Sequence, residues 1–298
     1  MAAFVNVNGS IFDGKDAVVP VFDHGFLYGE GVYETLRTYQ GQPFLFERHM
    51  QRLRASAGMI ALAVPPDDAH LRRQIAETMT AAGLRGGSGG EAYIRILVTR
   101  GVGELTYDPA ACPAPTIVII VKPHVDPPAA VFAAGVTVAL VDVVRNHPQA
   151  LSPLIKSNNL LNNALAMQRA FARGAYEGIM RNYRGELVEC TQSNLFVVSE
   201  GAALTPPIDA GLLPGITRGF LFEVGADAGI PVREQVLRDA DLFGADECFL
   251  TSTTREIVPI VQVDDRRIGA GTPGPVTTRL LEGFRRKVRE MAPVVEQA

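Results

Sequence analysis

The joining of the extended segments constrains this chain more than any other feature. Short strand-like stretches follow one another across glycine turns, and few are separated by a helix. Residues 4–7 and 10–12 flank Asn8-Gly9, and 32–39 turns at Gly41-Gln42 into Phe44-Leu45-Phe46. Residues 177–182, 187–190 and 194–199 are joined at Arg184-Gly185 and Thr191-Gln192. Links this short connect antiparallel partners, because a parallel partner needs a crossover of about a dozen residues or more. Further strands fall at 91–100, 117–121, 136–142, 247–250 and 257–263. Helical periodicity marks 47–62, 67–82, the stretch from Leu161 to Arg173, 218–228 and 275–291. Residues 85–90 read as a mobile glycine turn, and 101–115 as a loop long enough to carry a function. Many hairpins and few βαβ units make the chain α+β.

At roughly 150 residues per domain, 298 residues suggest two domains. The boundary falls at the proline-rich Lys122-Pro123-His124-Val125-Asp126-Pro127-Pro128. We therefore expect a small domain over 1–121, a linker over 122–132 and a larger domain over 133–298. The net charge of −4 argues against nucleic acid or an anionic membrane as partner. No apolar run reaches transmembrane length, and the first residues lack a basic region followed by an apolar core. Cys112, Cys190 and Cys248 are odd in number and far apart, so the expectation is reduced thiols, a cytoplasmic protein and no metal site.

One segment carries unusual chemistry. Ser152-Pro153-Leu154-Ile155-Lys156-Ser157-Asn158-Asn159 places a lysine at the end of an apolar stretch, just before a helix. Leu161, Leu165 and 167–170 give that helix an apolar stripe, and Ser157 or Asn158 can cap it. Free lysine titrates near 10.4, so about one in a few thousand is the neutral nucleophile at pH 7. Desolvation or a cationic neighbour raises that fraction, and the amine can then attack a carbonyl to give a Schiff base. Read alone, Lys156 is a surface lysine whose stem lies along apolar neighbours.

Taken with other residues in order along the chain, Lys156 makes the sequence resemble the class IV, or fold type IV, pyridoxal-phosphate aminotransferases from about Asn8 to Leu281. That family includes branched-chain and D-amino-acid aminotransferases, (R)-amine transaminases and aminodeoxychorismate lyases. The resemblance implies a small N-terminal α/β domain, a larger C-terminal domain with a barrel-like sheet, pyridoxal 5'-phosphate in the cleft between them, and a homodimer or higher homo-oligomer. Lys156 matches the cofactor lysine, which also moves a proton as a general acid–base. Glu189, in Glu186-Leu187-Val188-Glu189-Cys190-Thr191-Gln192-Ser193-Asn194, matches the carboxylate facing the pyridine nitrogen, with Asn194 as a turn residue beside the ring. Arg52, in His49-Met50-Gln51-Arg52, matches the phosphate arginine, although alone it reads as a solvated helix-face residue. Ile216 and Thr217 after Pro214-Gly215, and Thr253, match the other phosphate contacts.

On the substrate side, Tyr93 and Arg95 share a strand face, as do Tyr33 and Arg37. They resemble the carboxylate pocket of the branched-chain group, or alternatively Arg37 and Arg95 pair with Glu34 or Glu91. Tyr28 and the 101–115 loop with Tyr107 resemble parts that complete a neighbouring subunit's site. The loop Val102-Gly103-Glu104-Leu105-Thr106-Tyr107-Asp108 lacks the arginine and histidine of D-amino-acid enzymes. Against that, Leu160 and Leu161 replace the tyrosine usual in branched-chain enzymes, Thr254 is closer to the D-amino-acid group, and Arg255 offers a further carboxylate contact. The resemblance implies amino-group transfer between an aliphatic L-amino acid and 2-oxoglutarate. A D-amino-acid or (R)-amine transaminase, an aminodeoxychorismate lyase, and a non-catalytic protein on the same fold stay open.

Overall fold

A computed structural model of the chain describes residues 3–64, 67–84 and 90–292. Residues 85–89 of the expected glycine turn lie outside it. The chain forms two compact units, dividing after Val125, with Ile155–Asn159 grouped in the first.

The first unit holds β1 (Phe4–Val7), β2 (Ser10–Asp13), α1 (His24–Leu27), β3 (Gly31–Tyr39), β4 (Gln42–Pro43), α2 (Phe46–Met59), α3 (Asp68–Ala81), β5 (Ala92–Thr99) and β6 (Thr116–Pro123). The strands form one sheet in the order β2-β1-β6-β5-β3-β4, with every named pairing antiparallel. Val32 and Leu36 of β3 and Ile94, Ile96 and Val98 of β5 alternate onto the face covered by helices. Phe46, Met50, Leu53 and Ala57 come from α2, and Leu71, Ile75 and Met79 from α3, at the spacing that lines one helix face. Asp67 caps α3 by accepting from His70 N at 2.7 Å. The strand expected at 44–46 is not one. Leu45 turns left-handed at φ 51°, and Phe46 starts α2.

The second unit holds α4 (Ala129–Ala134), β7 (Val136–Leu140), α5 (Leu161–Phe171), β8 (Gly178–Arg181), β9 (Leu187–Cys190), β10 (Asn194–Ser199), β11 (Ala202–Thr205), α6 (Ile216–Ala228), β12 (Val232–Glu234), α7 (Asp239–Phe243), β13 (Glu247–Ser252), β14 (Glu256–Val263), β15 (Arg266–Arg267) and α8 (Pro275–Met291). Its sheet runs β12-β11-β10-β13-β14-β7-β8-β9, and β9 pairs back onto β10 through Glu189 opposite Asn194. Six strands thereby close into a barrel, which removes the open edges. Leu195, Val197, Leu250, Val258 and Ile260 are buried in its core cluster.

Two expectations around Lys156 change. The segment 155–159, expected in the C-terminal domain, groups with the first unit because its backbone hydrogen-bonds to β3. Asn158 N is thus engaged by Gly31 O, and α5 starts later, at Leu161, with no side-chain cap. Its buried face is Ala166 and Ala170, while Leu161 and Leu165 are exposed.

Inside the first unit, β3 turns one charge into the core: Glu34 is fully buried. Arg52 grips it at 2.7 and 2.8 Å through Nε and Nη2, and His49 Nδ1 lies 2.7 Å from the same carboxylate. Burial alone would raise the Glu34 carboxyl, but Arg52 and His49 outweigh it and hold it far below the usual range. Burial lowers His49 despite Glu34, so the imidazole is held neutral. Removing one partner of a buried pair leaves the other charge uncompensated. Glu34→Gln should therefore destabilise the first unit by roughly 3–5 kcal/mol, read as a fall in melting temperature. Glu34's contribution is complete above its ordinary value of 4.5 and is lost as pH falls below it. His49 adds a loss beginning below 6.5, because only the unfolded imidazole gains its proton there. Below pH 4.5 the variant should show a flatter acid dependence than wild type, which alone has Glu34's contribution to lose there; a variant melting temperature equal to wild type's at pH 7 would refute this.

Candidate active site

Lys156 is fixed through its main chain. Its carbonyl accepts from Tyr33 N at 2.9 Å, and its N–H donates to Ser56 Oγ at 3.1 Å. Asn158 N donates to Gly31 O at 2.9 Å, and Ser157 bridges Val32. The segment makes an isolated antiparallel bridge to the β3 edge. Residue 31 has to be glycine here, because a Cβ would run into Asn158 Nδ2 and Val98 O. Ile155 packs against the core cluster of the first unit. The half-buried side chain is left to act: Nζ lies 4.5 Å from the centroid of the Tyr33 ring.

The same ring carries Arg95, whose Cζ is 4.0 Å from its centroid. Cross-strand register sets Thr35 opposite Arg95 and Arg37 opposite Tyr93, so Tyr33, Arg37, Tyr93 and Arg95 share one sheet face. Arg95 stacks on Tyr33, and Glu34, on the opposite face, is taken by Arg52 and His49. Glu91 accepts from Thr38 Oγ1 and the backbone of Gln40 and Gly41. Arg37 lies over the Tyr39 ring at 4.2 Å. Tyr28 meets Tyr107 with ring centroids 5.0 Å apart, and Tyr107 is 85 % exposed.

In the second unit, Glu189 is buried at the end of β9. Its carboxylate accepts from Arg145 Nε at 2.7 Å, Leu213 N at 3.1 Å and Asn194 Nδ2 at 3.5 Å. A carboxylate has about four acceptor sites, so capacity remains for one further N–H donor. Asn194 also donates to Leu213 O at 2.9 Å, tying Glu189 to the turn before α6. Gly215 caps that helix and packs so closely on Asn194 that any Cβ would overlap Oδ1. Ile216 and Thr217 are the first two residues of α6, whose leading N–H groups favour an anion. Thr253 and Thr254 lie half-buried in the turn between β13 and β14.

Arg255 ends that turn, and its donors are engaged within the chain. It pairs with the fully buried Glu177 and donates to Ser193 Oγ at 2.7 Å and to Ser252 Oγ at 3.2 Å. Arg255 thus already holds one carboxylate of its own chain, that of Glu177.

Five residues with a place in these clusters have no site role in the sequence-based expectation: Ser56, His49, Glu34, Arg145 and Glu177. Glu34 carries a signal, a charge in phase with Val32 and Leu36. His49, Arg52 and Ser56 recur at helical spacing on α2. Arg145 lies in irregular chain, where periodicity gives no guide.

Comparison with known proteins matches residues 31–263 to the amino-transferase class IV family. A Methanocaldococcus jannaschii protein, provisionally described as a branched-chain-amino-acid aminotransferase, is 39% identical over 94% of this chain and 95% of its own. A D-alanine aminotransferase of Listeria monocytogenes serotype 1/2a is 34% identical over 94% of both. The solved T.th. branched-chain amino acid aminotransferase, complexed with N-(5'-phosphopyridoxyl)-L-glutamate, superposes with a TM-score of 0.89. It is 28% identical and covers 98% of this chain and 96% of that one. With a pinned lysine, a buried carboxylate with acceptor capacity to spare, and a family match over most of its length, this chain belongs to the class IV aminotransferases, the pyridoxal-phosphate enzymes of fold type IV.

Proposed function

We propose that this chain is a pyridoxal-phosphate transaminase that moves an amino group between branched-chain L-amino acids and 2-oxoglutarate. The observation that carries the substrate half is the single sheet face presenting Tyr33, Arg37, Tyr93 and Arg95. Two guanidinium groups beside aromatic rings suit a carboxylate attached to an aliphatic chain. The phosphopyridoxyl-glutamate complex of the T.th. relative supports glutamate and its keto acid as the second pair.

The donor set fits the cofactor. An amine is present for its aldehyde, a carboxylate with spare acceptor capacity for its ring N–H, and a guanidinium and a helix start for its phosphate. Close packing of Gly215 on Asn194 leaves no room for a side chain where the helix meets that turn. When bound, the cofactor supplies an electron sink for the pair left at substrate Cα. Lys156 Nζ would take the Cα proton and return it, with its main chain fixed on the β3 edge. Glu189 accepts from the ring nitrogen, with Arg145 and Leu213 N fixing its orientation. Arg52, aimed by Glu34, and separately the N–H groups at the α6 start, have the chemistry that would hold phosphate. Tyr93 and Arg95 bind substrate carboxylate, with Thr253 and Thr254 bordering phosphate and substrate. Tyr28 and Tyr107 belong to an interface, and the chain works in the cytoplasm as a homodimer; the exposed Phe22, Phe26, Leu105 and Tyr107 of the first unit support the pairing. Among the described residues no helix is long and apolar enough to cross a membrane.

A D-amino-acid transaminase is the second reading, favoured by the 34% identity to the Listeria enzyme. Stereospecificity decides. L-leucine should bleach the visible absorbance of the cofactor-loaded protein while D-alanine leaves it unchanged, and the reverse result establishes the second reading. Lys156→Ala should abolish turnover while costing no more than about 1 kcal/mol of stability, and borohydride should no longer fix a pyridoxyl label at this position. Multiple turnover by that variant would end the proposal. Glu189→Gln should cut kcat about 100-fold or more, as for loss of a preorganised charge, with KM changing less; a wild-type kcat would remove Glu189 from the mechanism.

A further inference from the structure

Arg255 and Glu177 lie behind the cofactor turns and have no role in the mechanism above. Glu177 precedes β8 and is fully buried. Its carboxylate accepts from Thr191 Oγ1 at 3.1 Å, Gln192 N at 2.9 Å and Ser193 Oγ at 2.7 Å, and it pairs with Arg255. The three donors of 191–193 form the turn whose two ends are Glu189 and Asn194. Arg255 reaches that turn directly through Ser193, and its own turn through Ser252. Its turn carries Thr253 and Thr254. One buried ion pair therefore fastens the turn of Glu189 to the turn of Thr253.

We propose that Arg255 and Glu177 are positioning residues: together they lock the 191–193 and 252–255 turns into register, so that Arg255 acts on the cofactor through Glu189 and Thr253 rather than by binding substrate. Arg255 also borders an open cavity of about 630 Å³ lined by Met167, Phe171, Tyr176 and Gln192. The Arg255 Nε and Nη2 are already taken by Ser252, Ser193 and Glu177. Burial opposes the charge on Arg255, and Glu177 together with Tyr176 more than offsets it, so the two charges are costly apart. The three contacts to 191–193 explain why so buried a carboxylate is retained: each satisfies a turn donor that would otherwise lose its partner.

This inference rests on the cofactor reading above, and the test separates the two. Cofactor-loaded wild type, Arg255→Lys, Arg255→Met, Glu177→Gln and the double variant Glu177→Met/Arg255→Met would be compared. The measurements are cofactor dissociation, the pH titration of cofactor absorbance, and KM and kcat with 2-oxoglutarate and with 4-methyl-2-oxopentanoate. Arg255→Met and Glu177→Gln should each weaken cofactor binding and lower kcat by about tenfold and displace the absorbance titration. The ratio of the two KM values should stay within about twofold of wild type. Arg255→Lys should recover part of the loss, and the double variant should cost less than the product of the single effects because the pair acts as a unit. If Glu177→Gln does not fold, Arg255→Lys and the charge-free double variant carry the same comparison. A rise of about tenfold or more in KM for the dicarboxylate alone, with cofactor dissociation unchanged, would make Arg255 a substrate residue and overturn the proposal. Variants identical to a cofactor-binding wild type would also overturn it. Wild-type protein that takes up no cofactor would instead sink the reading of the preceding subsection.

Discussion

The backbone of Lys156 is hydrogen-bonded to the edge of β3, and the chemistry proposed for this chain depends on that constraint. A lysine side chain has four rotatable bonds and about 2 kcal/mol of rotamer entropy to lose. Its amine can be placed repeatably only if the Cα does not move. Hydrogen bonds to Tyr33 N, Gly31 O and Ser56 Oγ surround this residue on both sides. The proline-started segment before it, with Ile155 packed into the core, removes further freedom. Close approach of Asn158 then dictates a glycine at 31. A position far along the chain is thereby built into the sheet formed by the first hundred or so residues.

Three buried glutamates do related work with different partners. Glu34 aims Arg52, Glu189 is aimed by Arg145, and Glu177 joins Arg255 to the turn between β9 and β10. In each case the carboxylate accepts more than one hydrogen bond, which is the condition for a buried charge to be tolerated. The direction of the orienting effect differs. At Glu34 the carboxylate would be the support and the guanidinium the functional group under the proposed function, whereas at Glu189 the guanidinium would be the support.

Much of the architecture is legible in the sequence because local physics and tertiary packing agree. The α2 and α3 apolar faces, the Asn8-Gly9 hairpin and the β8–β9–β10 meander all follow from period and turn chemistry. Long-range demands displace the remainder. Asn158 has the side chain of a helix cap, but its N–H meets a sheet edge first. Leu161 and Leu165 have helical spacing, yet the barrel side of α5 takes Ala166 and Ala170, since small residues allow closer packing. Lys156, Glu189 and Arg52 are singled out in the sequence only through family resemblance, while Arg145 and Glu177 are invisible because their partners, Glu189 for the one and Thr191 to Arg255 for the other, are far along the chain with no period linking them. Arg255 stands out in the sequence, but a contact to Glu177 cannot be read from a turn sequence.

Helix α2 fixes the main-chain spacing of the two residues proposed to hold one ligand. His49, Arg52 and Ser56 recur every three to four residues and face β3 and the lysine segment. Arg52 and Ser56 are one turn apart, which is about 6 Å along the axis. Ser56 holds the main chain of Lys156, and Arg52 is held by Glu34, which sits on the strand whose edge receives Lys156. The amine that would carry the covalent link and the guanidinium that would meet the phosphate therefore belong to one body: a helix turn, a strand and a three-residue edge. The spacing of their main chains can change only if α2 slides on β3, and the buried Met50, Leu53 and Leu36 resist that sliding. An amphipathic helix thus does two jobs with two stripes, an apolar one that closes the core and a polar one that sets the spacing between the lysine and the arginine.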